Sequence, residues 1–470
     1  MAALQVCKNN SKQINTRGVS KDLGVNSKGK SFDTRSFFKI MQTELLYSIF
    51  KDSTGVTTDS RNIRKGGLFF GLWGESYNGN KFASEALTKG ASYAVIDDPD
   101  FETDKTILVD DTLLELQALA THYRKELKIP VIAITGTNGK TTTKELLAAV
   151  LSKKYKINYT KGNLNNHLGV PLTILSTPAD TELLIVEMGA SHIGEIKTLC
   201  EIARPDYGII TNIGKAHIEG FGSFEGIIKA KIELYEYLKK VNGVAIYNDK
   251  NVILSEKIFK LLNRAIPYSD PTGAELITEI INDSITLSLI ATYNHQTFEI
   301  KTNLFGEYNF ENVKAALATG LFFGVDFHEA LLAIEGFIPS NNRSEIRKIS
   351  SNTLICDSYN SNPTSLSKAI EAFAQTKSEN KVCILGDMLE LGDSSVEEHL
   401  NILNFIKSFR FKKVYLVGNI FGNLSTQFGY EFFSDSELLA SYLKQSPITN
   451  SLILIKGSRG MMLEKIYNVL

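Results

Sequence analysis

Four short runs constrain this chain more than anything else in it: "VIAIT" (Val131–Thr135), "LLIVE" (Leu183–Glu187), "YGIIT" (Tyr207–Thr211) and "GVAIY" (Gly243–Tyr247). They are apolar at nearly every position rather than at every second one, and helix-like stretches separate them. A strand with one wet face alternates; a strand that is apolar throughout must be covered on both faces. Such strands joined by helices predict a mostly parallel sheet with helices on either side.

The same pattern recurs before and after. Between Met41 and Lys128, "GGLFFGLWG" (Gly66–Gly74) and "ASYAVID" (Ala91–Asp97) read as strands and "LLELQALATHYRKEL" (Leu113–Leu127) as an amphipathic helix. Pro130 then marks a boundary. "SITLSLIATYNHQTFEIKTNLFG" (Ser284–Gly306) reads as antiparallel hairpins, and "NFENVKAALATGLFFG" (Asn309–Gly324) as a helix. A second boundary falls near "GFIPSNNRSE" (Gly336–Glu345). Beyond it "TLICD" (Thr353–Asp357), "KVCILG" (Lys381–Gly386), "KVYLVG" (Lys413–Gly418) and "LILIKG" (Leu452–Gly457) alternate with helical pieces in a Rossmann-like way, with no GxGxxG opening the run. The expectation is an α/β protein of three domains. These are a small N-terminal α/β domain over 41–128, a central phosphate-loop-type domain with a mostly parallel sheet over 129–337, and a Rossmann-like C-terminal domain over 338–470.

Composition narrows the class. The 470 residues carry a net charge of −1, which argues against a dedicated nucleic-acid binder. No apolar run reaches the roughly 18 residues of a membrane span. Four cysteines without CxxC spacing suit a reducing cytoplasm and make no metal knuckle. Residues 1–40 differ: eight Lys/Arg, two Asp/Glu, and little apolar periodicity. A disordered extension, a start at Met41, and a basic transit peptide are the three readings of that segment.

The first apolar run leads into "GTNGKTT" (Gly136–Thr142), and a helix opens at the threonines. A strand, a glycine loop and a helix start form a phosphate cradle. Gly136 and Gly139 let backbone N–H groups face an anion, among them those of Thr137 and Asn138, and the helix terminus adds partial positive charge. Lys140 can reach the β- and γ-phosphates, and a hydroxyl of Thr141 or Thr142 can hold Mg²⁺. The common spacing GxxxxGK[ST] is not met, because Ile134 stands five positions before Gly139. Glu187 ends the next strand, where a carboxylate points to the ligand crevice, so it is a candidate Mg²⁺ ligand. His217, in "TNIGKAHIEGFGS" (Thr211–Ser223), falls at the same sheet edge. Read from the residues alone, Lys231 is a helix-face lysine in solvent, and Asn309 is a good helix N-cap.

"GTNGKTT", "EMGAS" (Glu187–Ser191), "NIGKAHIEGFGS" (Asn212–Ser223) and "KAKIELYEYL" (Lys229–Leu238), in this order, resemble the Mur ligases, ATP-dependent amide-forming enzymes of peptidoglycan synthesis related to folylpolyglutamate synthase. The resemblance runs from Met41 to the C-terminus, and the short loop is the usual form in that family. It implies ATP and two Mg²⁺ ions as cofactors. Lys140, Thr141 and the rest of the loop would serve the phosphates, and Thr141 and Glu187 one metal ion. His217 and a carbamylated Lys231 would hold the other, with Lys140, His217 and Lys231 the catalytic set. Asn309 and Asn312 would meet the nucleotide, and Arg343 and Asp357 would close on it from the C-terminal domain. The family often has glycine directly before that arginine; here Asn342 stands there.

"TTDSRNIRKGGLFFGLWGESYNGNKF" (Thr57–Phe82) resembles the family's uridine-diphosphate region. "KGNLNNHLGVP" (Lys161–Pro171), "DSYNSNPTSL" (Asp357–Leu366), "LGDMLELG" (Leu385–Gly392) and "KGSRGMMLEK" (Lys456–Lys465) resemble its dipeptide-adding branch, and no DNPR-type motif is present. The substrates implied are UDP-N-acetylmuramoyl-tripeptide and D-alanyl-D-alanine, bound by Ser60, Arg61, Asn163, Asn165, Asn166, Asn360 and Asn362. A cytoplasmic monomer is expected, with no nucleic-acid partner. The alternatives are a tripeptide-forming relative, folylpolyglutamate synthase, and a non-catalytic homologue; the last would need one of Lys140, Glu187, His217 or Lys231 broken.

Overall fold

The computed structural model describes residues 34–281 and 285–470, with side chains from Met41 onward. The chain divides into two units, 1–52 and 53–470. In the first, a helix spans Thr34–Lys51 and so runs across Met41. The basic stretch before Thr34, and with it the expectation of disorder, lies outside the described residues.

Among the described residues the second unit holds three parallel-rich sheets. The N-terminal one has four parallel strands in the order Val56–Thr57, Leu68–Phe70, Tyr93–Ile96, Thr106–Leu108. The helix Thr112–Leu127 follows, capped by Asp111, whose carboxylate accepts from Leu114 N–H.

The central sheet has six parallel strands, ordered Ala265–Pro267, Val244–Tyr247, Tyr207–Ile210, Val131–Thr135, Leu183–Glu187, Ile157–Tyr159. The strands Val131–Thr135 and Leu183–Glu187 are buried at every position, as their unbroken apolar runs require. After Leu183–Glu187 the chain crosses over Val131–Thr135 to form Tyr207–Ile210 on its other side. The strand order reverses there, and such a switch point opens a crevice at the C-terminal strand ends. The helices Lys140–Leu151, Phe310–Phe322 and Phe327–Glu335 share one continuous core with a face of this sheet, which contributes the fully buried Ile132, Ile134, Ile185 and Ile209.

The hairpin expectation holds for the described part of its range: Leu276–Ile281, Thr286–Tyr293 and Gln296–Phe305 form an antiparallel sheet. Leu276, Leu289 and Ile300 from these strands join the same core. The C-terminal sheet is ordered Glu345–Ile349, Asn352–Cys356, Leu452–Lys456, Lys381–Gly386, Lys413–Val417, Glu431–Phe433. Its first pair is antiparallel and the others are parallel. Among the described residues no helix is long and apolar enough to cross a membrane.

Candidate functional site

The glycine loop is laced to the end of the neighbouring strand. Thr137 N–H donates to Asn212 O and Asn138 N–H to Asn212 Oδ1, while Thr211 Oγ1 and Asn212 Nδ2 both donate to Asn138 O. Thr137 Oγ1 donates to Gly214 O and accepts from Gly214 N–H. Two of the amides that the glycine loop would offer an anion are therefore spent on structure. The helix Lys140–Leu151 begins next, and the N–H groups of Lys140, Thr141 and Thr142 have no acceptor among the described residues. A helix start always leaves such donors, and here they line a cavity of about 1060 Å³.

Both glycines are required by close approach. Gly136 has φ +140°, and a Cβ there would lie 2.1 Å from Thr211 Oγ1. Gly139 has φ +79°, and a Cβ there would lie 2.3 Å from Asn312 Oδ1. Lys140 Nζ donates back to Gly136 O (2.8 Å) and Thr137 O (3.0 Å). Burial pushes its ammonium down to about 8, against the pull of Glu187 and with the push of Arg343.

Glu187 is 1% exposed, so it is not a solvated strand-end acid. Its Oε1 accepts from Thr141 Oγ1 (3.1 Å) and Asn165 Nδ2 (2.8 Å). Among the described residues its Oε2 makes no hydrogen bond, and it pairs with the fully buried Lys144 Nζ at 3.6 Å. A buried carboxylate lining the cavity is an oxygen donor of the kind a hard divalent ion takes. Lys144 escapes a reading by motif; its place four residues after Lys140, on the helix face turned to the sheet, is the signal that could have found it.

Lys231 corrects the solvent reading. It is 2% exposed, and among the described residues it makes no hydrogen bond or ion pair. On the helix Phe224–Val241 it shares the buried stripe of Ile227, Leu234, Tyr235 and Leu238, a helical spacing visible in the sequence. Burial, then the nearby Lys140, pushes its amine down to about 7. Its Nζ lies 5.2 Å from the centre of the Phe221 ring, and the His217 ring meets the same ring edge-on at 6.4 Å. Both candidate ligands thus flank Phe221; His217 lines the cavity and Lys231 does not. Among the described residues no three His, Cys, Asp or Glu cluster as a metal site. The candidate set is mixed: hydroxyl, carboxylate, imidazole and amine.

Asn309 does not cap its helix through its side chain. Its Nδ2 donates to Phe305 O and Ser344 Oγ, and its Oδ1 accepts from Asn312 Nδ2. Asn312 Oδ1 in turn accepts from Thr143 Oγ1, so the pair braces the glycine loop from behind. Asp357 Oδ1 accepts from Ser344 N–H, and its Oδ2 pairs with Lys456 Nζ at 2.6 Å. Arg343 stacks on Tyr359, 3.6 Å from the ring centre. Asn342 adopts φ +56°, a left-handed conformation that asparagine tolerates better than most residues, so it stands in for glycine physically.

Lys140, Thr141, Glu187, His217, Asn309, Asn312, Arg343 and Asp357 all line the one cavity, as do Asn163, Asn165, Asn166, Asn360 and Asn362. Several of these amides have structural work. Asn166 Oδ1 accepts from Leu168 and Gly169 N–H; Asn362 caps the helix Pro363–Gln375 and donates to Asn138 Oδ1 across the two sheets. Ser60 and Arg61 do not line this cavity. Ser60 O accepts from Lys89 Nζ, and Arg61 pairs with Asp59 in solvent.

A glycine loop at a switch point, open helix amides and a buried carboxylate at the adjacent strand end define a phosphate-loop α/β protein. The chain belongs to the Mur ligase family: the Mur ligase catalytic-domain model matches residues 52–146, the middle-domain model 134–320 and the glutamate ligase domain model 342–459. It is 35% identical over 430 residues to the UDP-N-acetylmuramoyl-tripeptide–D-alanyl-D-alanine ligase of Bacillus subtilis, covering 88% of this chain and 92% of that protein. A crystal structure of MurF from Acinetobacter baumannii superposes with a TM-score of 0.78 at 27% identity, over 90% of this chain and 97% of that one. The MurF ligase of Thermotoga maritima in complex with ADP gives 0.77 at 25%, with the same coverage. The three-domain α/β architecture expected from the sequence is the architecture of these relatives.

Proposed function

We propose that this chain is an ATP-dependent amide ligase that joins D-alanyl-D-alanine to UDP-N-acetylmuramoyl-tripeptide, a cytoplasmic step of peptidoglycan synthesis. The observation that carries the reading is the cavity itself, which the helix start with its open amides, Lys140 and Glu187 line together. At about 1060 Å³ it lies at the top of the ~300–1,000 Å³ range of small-molecule sites, room for more than a nucleotide. The domains we assign are 41–128 for the uridine-diphosphate end, 129–337 for ATP and 338–470 for closure; Ser60 and Arg61, outside the cavity, serve the distant uridine end.

The tripeptide's terminal carboxylate oxygen attacks the γ-phosphorus, the bond to the β-phosphate oxygen breaks, and ADP leaves. The amine of D-alanyl-D-alanine attacks the acyl carbon, loses a proton, and phosphate departs. The first step brings anion to anion. The N–H groups of Lys140, Thr141 and Thr142 and the Lys140 ammonium take up phosphate charge. Arg343, held against Tyr359, adds a second cation, and Asp357 takes the ribose. Bound Mg²⁺ supplies further charge neutralisation. Thr141 and Glu187 would hold one ion, His217 and carbamylated Lys231 another.

The carbamate is what the family resemblance implies, and the burial of Lys231 supports it. A second ammonium beside Lys140 is disfavoured, and a neutral buried amine is the form that adds CO₂. Adding CO₂ forms an N–C bond, releases a proton and turns a repelled cation into an oxygen anion fit for Mg²⁺. Lys231→Ala is expected to be nearly inactive and partly restored by acetate or formate; an inactive variant that no acid rescues would mean a cationic lysine, and an active one a bystander.

The test of the reaction is phosphate release with each acceptor separately. Turnover that needs both UDP-N-acetylmuramoyl-tripeptide and D-alanyl-D-alanine, with one amide formed per ADP, supports the proposal. Turnover with folate and glutamate, or with neither set, overturns it.

A further inference from the structure

The motif "LGDMLELG" has no part in the proposed reaction, yet one of its residues reaches the site. Glu390 Oε2 lies 2.6 Å from His217 Nδ1. His217 follows the central strand Tyr207–Ile210, and Glu390 follows the C-terminal strand Lys381–Gly386, so the contact joins the two sheets. Both backbones are left-handed, with φ +50° and +65°. Residues other than glycine adopt that region rarely, and they hold it where the surroundings impose it.

The contact has neighbours on both sides. Two residues before His217, Lys215 Nζ pairs with Glu398 Oε1 at 3.0 Å. Two residues after it, Glu219 Cβ lies 3.3 Å from where a Cβ on Gly392 would be. Alternate residues of one loop therefore meet one C-terminal segment, and Glu390 is the member that engages the imidazole.

An imidazole that donates Nδ1–H to a carboxylate carries its lone pair on Nε2, with its plane fixed. We propose that Glu390 is a positioning residue for His217, selecting the tautomer whose Nε2 binds a divalent cation. Because Glu390 arrives with the C-terminal sheet, docking of that sheet and completion of the metal site become one event. The inference rests on the reading of His217 as a metal ligand.

The experiment uses the full chain with ADP and Mn²⁺ as the probe, bound ions being counted by electron paramagnetic resonance. Outer-shell partners of metal-bound histidines are worth about 10–100-fold in affinity. Glu390→Ala is expected to weaken the His217-dependent Mn²⁺ by that factor, and Glu390→Gln, which keeps an acceptor without the charge, by less. Glu398→Ala, which removes only the adjacent docking contact, should stay within about twofold of the unmodified chain. In turnover, the Mg²⁺ requirement of Glu390→Ala should rise while kcat recovers at saturating Mg²⁺. Glu390 is 61% exposed, so its replacement leaves the core intact, which a thermal melt checks. Unchanged Mn²⁺ affinity in Glu390→Ala, with loss in His217→Ala, overturns the inference alone. Equal weakening in Glu398→Ala and Glu390→Ala overturns it too, because docking without the imidazole contact would then explain the effect. Unchanged affinity in His217→Ala overturns the metal-ligand reading and this inference with it.

Discussion

Two helix starts in this molecule are built alike and used differently. In the central sheet, Gly139 leads into the helix Lys140–Leu151, and the amides of Lys140, Thr141 and Thr142 stay open to the cavity. In the C-terminal sheet, Gly418 (φ +115°) leads from the strand Lys413–Val417 into the helix Asn419–Ser425. There the protein supplies its own anion: Asp387 Oδ2 accepts from Ile420 N–H and Oδ1 from Phe421 N–H, both at 2.9 Å. A Cβ on Gly418 would lie 2.3 Å from Asp387 Oδ2, so its glycine admits a carboxylate of the chain itself. A glycine before a helix thus marks a close approach, and what approaches decides the function. An internal carboxylate closes the one terminus, and the other is left for phosphate.

The comparison predicts opposite failures. Lys140→Ala should raise the barrier for turnover by about 3 kcal/mol or more, by analogy with loss of one preorganised donor to a developing anion. Its melting temperature should move little, because relief of the buried ammonium offsets the loss of its bonds to Gly136 O and Thr137 O. Steady-state kinetics beside a melt checks both, and near-normal kcat would remove the distinction between the two termini. Asp387→Ala should do the reverse. It leaves two donors without their charged acceptor, at a cost of about 2–3 kcal/mol in stability. Denaturant unfolding should record that loss, with kcat per folded molecule retained.

How far these features are legible in the sequence depends on how far apart along it their parts lie. The loop, Glu187 and the four-strand pattern around them are local: a strand run, a turn and a helix start can be read together. Lys231 is legible too, in the stripe of Ile227, Leu234 and Leu238, although a lysine in such a stripe reads first as solvent-facing. The three-residue strands Ile157–Tyr159 and Glu431–Phe433 escape notice because three residues show no period. Glu390 and Lys456 are placed by His217 and Asp357, partners far off along the chain, and no local spacing encodes such pairs. Asn309 reads as a cap because its residue type suits one; its amide instead spans Phe305, Ser344 and Asn312.

Asn342→Gly is the mildest test and sharpens the same point about glycine. With φ +56°, asparagine stands there at a small conformational cost. Stability should change by less than about 1 kcal/mol, with kcat/KM preserved. A large loss of activity would mean that the Asn342 side chain, and not its backbone conformation, matters beside Arg343.

The claim that one terminus is open and the other filled can be measured at the amides themselves. In transverse-relaxation-optimised ¹H–¹⁵N spectra of the full chain, Mg²⁺ and ADP should shift the amide signals of Lys140, Thr141 and Thr142. Those of Ile420 and Phe421, already bonded to Asp387, should stay in place. Unmoved signals at Lys140–Thr142, or shifts of equal size at Ile420 and Phe421, would contradict the account.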